Sequence, residues 1–374
     1  MRIAINTRLL LKDKLEGIGW FTYENLKRIT KAHPEHQFYF LFDRNPHKDF
    51  IFSENVTPLV LFPQARHPLL YYLWFQYSVA KTLRSIKADL FISTDGYISL
   101  NTKVKTLNVF HDLNFEHYPQ DVPPFERWYY RTFFPKFAHK ADRIATVSEY
   151  SKQDIMELYS IPEDKIDVVY NGANEIYAPV NEEEKKETRD KLTDGQPFFY
   201  FIGSLHPRKN LANLFKAFDI YRKSDNDLTT KLVITGARKW WTKEIEEIYR
   251  SMEFRNDVVF TGRMKLEEIK DVMGSALALT YVSYFEGFGI PIIEAFRCGT
   301  PVITSNVTSM PEIAGDAALL VDPFDPTEIA AAMLNITNDE NLRHQLIKNG
   351  HLRANEFTWD KSADRLWNSI SKVL

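Results

Sequence analysis

Residues 277–305 read LALTYVSYFEGFGIPIIEAFRCGTPVITS. A continuous apolar run (277–282) enters a loop that holds Gly287 and Gly289, a helix follows from about Ile290 to Arg297, and a second apolar run (300–305) closes the unit. Gly287, Gly289 and Pro291 would break a continuous helix, so Glu286 belongs to the loop. Pro291 suits a first helical position, Glu294 lies in the first turns, and Gly299 reads as the helix stop. Apolar runs that do not alternate suit parallel strands buried on both faces. Strand, helix and strand in this order are the unit of a doubly wound α/β domain.

The same alternation extends in both directions. Upstream, short β-rich runs fall at 2–6, 37–42, 58–62, 88–93, 105–110, 143–148 and 166–171, with a first helix near 18–31. A charged segment at 177–197, bounded by Pro179 and the Gly195–Pro197 turn, reads as an interdomain connection carrying a short exposed helix. A second series follows: strands at 198–203, 231–236, 258–262 and 277–282, then those at 300–305 and 317–322, with helices from about 210, near 242–252 and near 266–275. One long helix is expected after Pro326. Trp359, Ala363, Leu366, Trp367, Ile370 and Leu374 then recur at helical spacing and need a surface to pack on. Two similar α/β halves result.

Composition narrows the function classes. The chain has 374 residues, 44% of them hydrophobic, enough for ordinary cores and for about two domains. Lys and Arg total 47 against 50 Asp and Glu, a net charge of −3, so nothing attracts nucleic acid in general and any anion needs a local basic site. The only cysteine, Cys298, permits no intrachain disulfide; a reducing, cytoplasmic compartment is expected, with Cys298 a buried packing residue. The first ten residues are too short and polar for a signal peptide. The greasiest stretch, at 69–80, falls short of the roughly 20 residues that cross a bilayer.

Glu286 and Glu294, with seven residues between them, allow three readings: packing, a glycosidase-like acid pair, or a site for a sugar and a phosphate. The bare backbone of the glycine loop and the free N–H groups of a helix start favour an anion there. So does the place of the loop, at the C-terminal end of a strand. A second basic feature, FIGSLHPRKNL (201–211), leaves a strand at Gly203 and puts Arg208 and Lys209 where a helix opens. The helix dipole disfavours cations there, a cost that a bound anion would explain. His111 and Asp112 leave another strand at its C-terminal end. Gly17 and Gly19 open the first helix without a complete GxGxxG pattern, a weak dinucleotide signal. Asp225 and Asp227 have DxD spacing but read as a solvated turn, as does DPFDP (322–326). The ten histidines show no zinc spacing, so no metal site is expected.

These pieces, in this order, resemble the retaining glycosyltransferases of family 4, mannosyltransferase-like members in particular, along nearly the whole chain. The E-x7-E signature within EGFG…P…EA…CG.PV, with PRKNL upstream, is the most specific match. HDL, GIG, TVSEYSKQDI, VVYNGAN and VVFTGRM fall where the family has similar strings. Val282 departs from it, standing where the family often has proline.

The resemblance implies the GT-B fold, two Rossmann-like domains facing across a cleft. The expected division is an acceptor domain (1–176), a sugar-nucleotide domain (177–356) and a final helix (357–374) that packs back on the first. It further implies that His111, Glu286, Arg208 and Lys209 serve the reaction: His111 at the donor sugar near the reaction centre, Glu286 at donor-sugar hydroxyls, and Arg208 and Lys209 at the diphosphate. Glu294 should take the ribose, Phe288, Gly289 and Ile290 the donor through backbone, and Gly17 and Gly19 the phosphates. Gly203 joins the donor set, and Gly262, Arg263 and Met264 lie near the base. No cofactor or metal is expected beyond the sugar nucleotide, GDP-mannose before a UDP-sugar. A GT-B phosphorylase, a sugar-nucleotide epimerase and a non-catalytic sugar-nucleotide sensor are the alternatives. The acceptor is expected to be a glycan or lipid-linked saccharide. The aromatic and basic segments 67–77 and 125–140 would supply either a peripheral membrane surface or plain core helices with a solvated basic face.

Overall fold

In the computed structural model, which describes residues 1–12, 14–224, 229–238 and 241–374, the apolar runs form two parallel sheets. The chain divides into two units, Met1–Gly172 with Thr358–Leu374, and Ala173–Phe357.

Unit 1 holds β1 (Arg2–Asn6), β2 (Gln37–Phe42), β3 (Val56–Val60), β4 (Leu90–Ser93), β5 (Lys105–Phe110), β6 (Arg143–Thr146) and β7 (Ile166–Val168), in the order β3-β2-β1-β4-β5-β6-β7. Parallel neighbours need crossovers, and helices supply them. These are α1 (Gly17–Ala32), α2 (Pro68–Leu73), α3 (Ala80–Ser85), α4 (Asn114–His117), α5 (Pro124–Lys140) and α6 (Glu149–Tyr159). A π-helical segment, Trp74–Val79, joins α2 to α3. Strand order reverses between β1 and β4, so a crevice opens at the C-terminal ends of these two strands.

Unit 2 repeats the plan with α7 (Glu182–Thr193), β8 (Phe198–Ile202), α8 (Leu211–Lys223), β9 (Lys231–Thr235), α9 (Lys243–Ser251), β10 (Val258–Gly262), α10 (Leu266–Ser275), β11 (Ala278–Tyr281), α11 (Ile290–Cys298), β12 (Val302–Ser305), α12 (Met310–Ala314), β13 (Leu319–Val321), α13 (Pro326–Asn338) and α14 (Glu340–Ala354). Its sheet runs β10-β9-β8-β11-β12-β13 and reverses between β8 and β11. The core is aromatic and aliphatic, with Phe199, Phe201, Phe215, Phe218 and Tyr221 buried against Leu232 and Met333.

The last helix, α15 (Trp359–Ser371), belongs to unit 1. Trp367 stacks on His33 of α1 with ring centroids 3.5 Å apart, and Arg28 reaches Asp360 at 2.5 Å. Asp167 of β7 holds Lys372 at 2.6 Å and also meets Ser369 and Arg143. Gly172 is needed where α15 begins, because a Cβ there would sit 2.4 Å from the Trp359 backbone nitrogen.

The segment 177–197 carries the expected short helix, α7, and lies wholly in unit 2; α7 has a capping box between Asn181 and Glu184 and packs on α10, where Arg189 donates to the Ser275 carbonyl at 2.9 and 3.0 Å. The structure corrects several other expectations. The single helix expected after Pro326 is two, because the Asp339 side chain accepts from Leu342 N at 2.9 Å and caps a new start. The run at 143–148 stops at Thr146, since Ser148 is spent as the cap of α6. The strand expected at 58–62 is shifted to Val56–Val60, and 166–171 contracts to Ile166–Val168. The Asp225–Asp227 turn lies outside the described residues. DPFDP forms a turn in which Asp325 caps α13 through Thr327 N at 2.8 Å.

Candidate active site

Glu286 sits in the loop that leaves β11, at the switch point of the second sheet. The loop is pinned by backbone: Ser309 Oγ donates to the Glu286 carbonyl at 2.9 Å, and Glu286 N donates to Thr308 Oγ1 at 3.3 Å. Across the switch point, β8 ends and Pro207–Lys209 makes a 3-10 turn before α8. Asn210, at φ 61°, donates to the carbonyls of Val282 (2.9 Å) and Pro323 (2.6 Å) and stitches the two loops together. Tyr284 N adds a bond to the Arg208 carbonyl at 3.0 Å.

This stitching brings Arg208 and Lys209 to Glu286. Arg208 Nη1 lies 2.5 Å from Glu286 Oε2, and Lys209 Nζ lies 2.5 Å from Oε1. Lys209 and Glu286 are 7% and 6% exposed, so the pair is a buried one and each partner requires the other. Burial works to raise the Glu286 carboxyl, but Arg208 and then Lys209 outweigh it and hold it at about 2. The cost of two cations before α8 therefore has an internal explanation: an anion of the chain itself sits between them. Tyr281, the last residue of β11, completes the cluster. Its hydroxyl accepts a hydrogen bond from Lys209, and its ring lies 4.5 Å beneath the ammonium.

Glu294 is on α11, whose N-cap is Gly289 at φ 98°, a conformation that only glycine adopts cheaply. Burial pushes its half-buried carboxyl up to about 7, although Tyr177 donates a hydrogen bond to it. Glu286 and Glu294 thus have opposite environments and opposite preferred charge. Phe288 is buried edge-on against Phe357. Gly203, at φ 150°, lies 3.5 Å from the Lys209 stem, measured from an added Cβ. Gly262, at φ 72°, faces open space, Arg263 is exposed, and Met264 Sδ accepts from Thr235 Oγ1 at 3.5 Å. Ile290 opens α11.

Unit 1 gathers a second polar set at its own switch point. His111 donates from Nε2 to the Thr94 carbonyl at 2.9 Å and stands edge-on to Phe21 of α1, 5.0 Å between centroids. Burial lowers its pKa despite that bond, so the ring is neutral at pH 7. Thr22 Oγ1 donates to Thr94 Oγ1 at 2.8 Å, tying α1 to the same loop. Gly17 is the exposed first residue of α1. Gly19 is buried, and an added Cβ would lie 3.1 Å from Leu15 Cδ2 and 3.3 Å from the Leu9 carbonyl. Leu9 and Leu15 therefore pack closely against Gly19.

Sequence reasoning missed Tyr281, Tyr177 and the buried Arg8–Asp95 pair, 2.7 Å apart where β1 and β4 end. Tyr281 reads as core in a strand, and Arg8 as an ordinary surface residue. A tyrosine just before an S-x-x-E loop is the one local signal that was available.

Two doubly wound parallel domains, each with its polar groups at a switch point, define the GT-B class of fold. Residues 182–353 match the family model for glycosyl transferases group 1, and residues 15–175 the model for glycosyltransferase family 4. Together the two models span nearly the whole chain, and it belongs to the glycosyltransferases. It is 27% identical over 371 residues to O-antigen chain mannosyltransferase B of Escherichia coli, covering 96% of this chain and 97% of that one. It is also 27% identical to O-antigen chain mannosyltransferase RfbU of Salmonella typhimurium, over 72% of this chain and 71% of the relative. Among solved structures, Anabaena HepE in complex with UDP-glucose superposes with a TM-score of 0.77 at 17% identity, over 100% of both chains, a likeness of fold.

Proposed function

We propose that the enzyme transfers a hexose from a nucleotide-diphosphate sugar to a glycan or lipid-linked saccharide in polysaccharide biosynthesis, with retention and without a metal ion. The observation that carries this reading is the pair of cations, Arg208 and Lys209, closed on a buried carboxylate at the second switch point. The donor's diphosphate takes the place of Glu286 between them, and Glu286 turns to the donor-sugar hydroxyls. Arg208, Lys209 and the N-terminus of α11 then stabilise the charge that grows on the leaving diphosphate, the service a divalent cation would otherwise give. Backbone at Phe288, Gly289 and Ile290, with Gly203, borders sugar and phosphate. Glu294 accepts from the ribose, and Gly262, Arg263 and Met264 border the base.

His111 is assigned to the donor sugar and the Gly17–Gly19 turn to phosphate. With its Nε2 proton committed to Thr94, His111 offers Nδ1 as an acceptor and is a poor acid. As the acceptor oxygen bonds the anomeric carbon, the bond to the phosphate oxygen breaks on the same face. The acceptor's proton passes to that phosphate oxygen.

GDP-mannose is the favoured donor because the relatives reported above are named mannosyltransferases; a UDP-sugar is second. A thermal-shift panel of sugar nucleotides on wild type and Arg208→Ala tests the donor site. Stabilisation in wild type and its loss in the variant are expected; no stabilisation by any nucleotide at saturation sinks the assignment. Glu286→Ala should keep nucleotide binding and lose transfer.

Peripheral contact with the cytoplasmic face of a membrane is part of the same proposal. No helix among the described residues is long and apolar enough to cross a bilayer. Much of the aromatic run is core, with Trp74, Phe75, Tyr129, Phe134 and Phe137 buried. Phe125 and Trp128, however, are 45% and 56% exposed, and Arg127, Trp128 and Arg131 line a surface concavity of about 480 Å³. Aromatic and basic side chains in one patch suit an anionic interface. Sedimentation with anionic liposomes at low salt is expected, and a protein that stays wholly in the supernatant ends this part of the reading.

A further inference from the structure

A lysine ammonium rides on a flexible four-carbon stem, so a catalytic lysine has to be aimed by its surroundings. Glu286 and Tyr281 both aim Lys209. Glu286 Oε1 accepts from it at 2.5 Å, the Tyr281 hydroxyl accepts a second bond, and the Tyr281 ring lies 4.5 Å below Nζ. Of the two residues supplying these contacts, Glu286 sits in a loop, whereas Tyr281 is held by the sheet. It ends β11, which pairs with β8 on one side and β12 on the other. Its carbonyl accepts from Thr304 Oγ1 at 2.8 Å, and its side chain is buried. When a diphosphate replaces the Glu286 carboxylate as counterion, Tyr281 is the partner that stays: it is neutral, and no charge repels it from the newcomer. Its π face favours the ammonium, and its hydroxyl fixes the direction of one N–H, leaving the others to turn towards the ligand.

We propose that Tyr281 is a positioning residue for glycosyl transfer, its ring face and hydroxyl holding the Lys209 ammonium at the end of β11 for the departing diphosphate. This rests on the assignment of Lys209 to the diphosphate made above. A cation fixed before the reaction needs no reorganisation as leaving-group charge develops, so the contribution falls on the transition state more than on donor binding.

The test is a double-mutant cycle of Tyr281→Phe and Lys209→Met. GDP release from GDP-mannose is followed with methyl α-mannoside as acceptor, and GDP affinity is measured by calorimetric titration. Tyr281→Phe keeps the ring and removes the hydroxyl's charge-assisted bond to Lys209 together with its bond to Glu286, which the donor displaces, so kcat should fall about 10-fold with KM for GDP-mannose changed less than about threefold. GDP carries the charge that the leaving group acquires, so its affinity should fall alongside kcat, by about 10-fold, whatever the true acceptor. In the Lys209→Met background the same change should alter either quantity by less than about twofold. A merely structural tyrosine would lower Tm and cost the same in both backgrounds. Full activity and GDP affinity in Tyr281→Phe, equal losses in both backgrounds, or failure of this near-isosteric variant to fold would each overturn the proposal. Should Lys209→Met itself keep wild-type kcat and GDP affinity, the diphosphate assignment falls first, a result separable from the others.

Discussion

Glu286 and Glu294 share a motif, yet folding drives their carboxyls in opposite directions, to about 2 and about 7. The first is governed by two cations and the second by burial. The sign for Glu294 follows from linkage. Its folded pKa lies above the ordinary 4.5, so its contribution to stability is complete below about pH 4.5 and is lost as pH rises through 7. Glutamine at this position does not titrate. The stability advantage of Glu294→Gln over wild type should therefore be near zero at pH 4.5 and grow to about 1–2 kcal/mol by pH 8, allowing for solvent screening of a half-buried group. Denaturant melts at a series of pH values read this, and a difference that does not change with pH would refute the burial argument. Glu286→Gln behaves otherwise, because it removes the negative charge that the buried Lys209 and half-buried Arg208 close on. Its Tm should drop at pH 7, and saturating GDP should restore more of it than GDP adds to wild type; an equal GDP shift in both proteins would count against displacement of the carboxylate. Each of these residues was legible as a candidate, since glycine, proline and charge punctuate a chain locally. That Arg208 and Lys209 close on Glu286 was not, because the partners lie 77 positions or more apart and only the folded sheet aligns their loops.

Among the elements, α11 matches its expectation closely: Gly289 and Gly299 bound it in left-handed conformations that its sequence advertised. The α13–α14 break was hidden, because a single Asp cap competes with a helical pattern on both sides and wins only through its own hydrogen bond. Gly172→Ala would drive a Cβ to 2.4 Å from Trp359 N and 2.7 Å from the Thr358 carbonyl carbon, backbone atoms that have no rotamer to yield. Overpacking of this kind costs about 1–3 kcal/mol, and a thermal melt should show a loss of several degrees. An unchanged Tm would mean that α15 does not approach β7 as described.

At the scale of the whole molecule, unit 1 and unit 2 each have a sheet and a hydrophobic core of their own, and α15 returns the end of the chain to the first. Calorimetry should resolve a transition for each unit. A sugar nucleotide at about 100 times its Kd adds roughly 2.7 kcal/mol to the unit that binds it. The transition of unit 2 is expected to move to higher temperature, and a nucleotide that shifts only the transition lost on α15 truncation would reassign the donor site to unit 1. The strand–helix alternation, the two α/β halves and the motif loops were written in the sequence, because periodicity, turn residues and caps act over a few neighbouring residues; strand ends such as Thr146 and Val168 were not. Tertiary structure alone decided that two cations share one carboxylate and that Tyr281 lies beneath Lys209. Those are contacts between segments far apart in the chain, and strand order and crossover connections, which no short stretch encodes, bring them together.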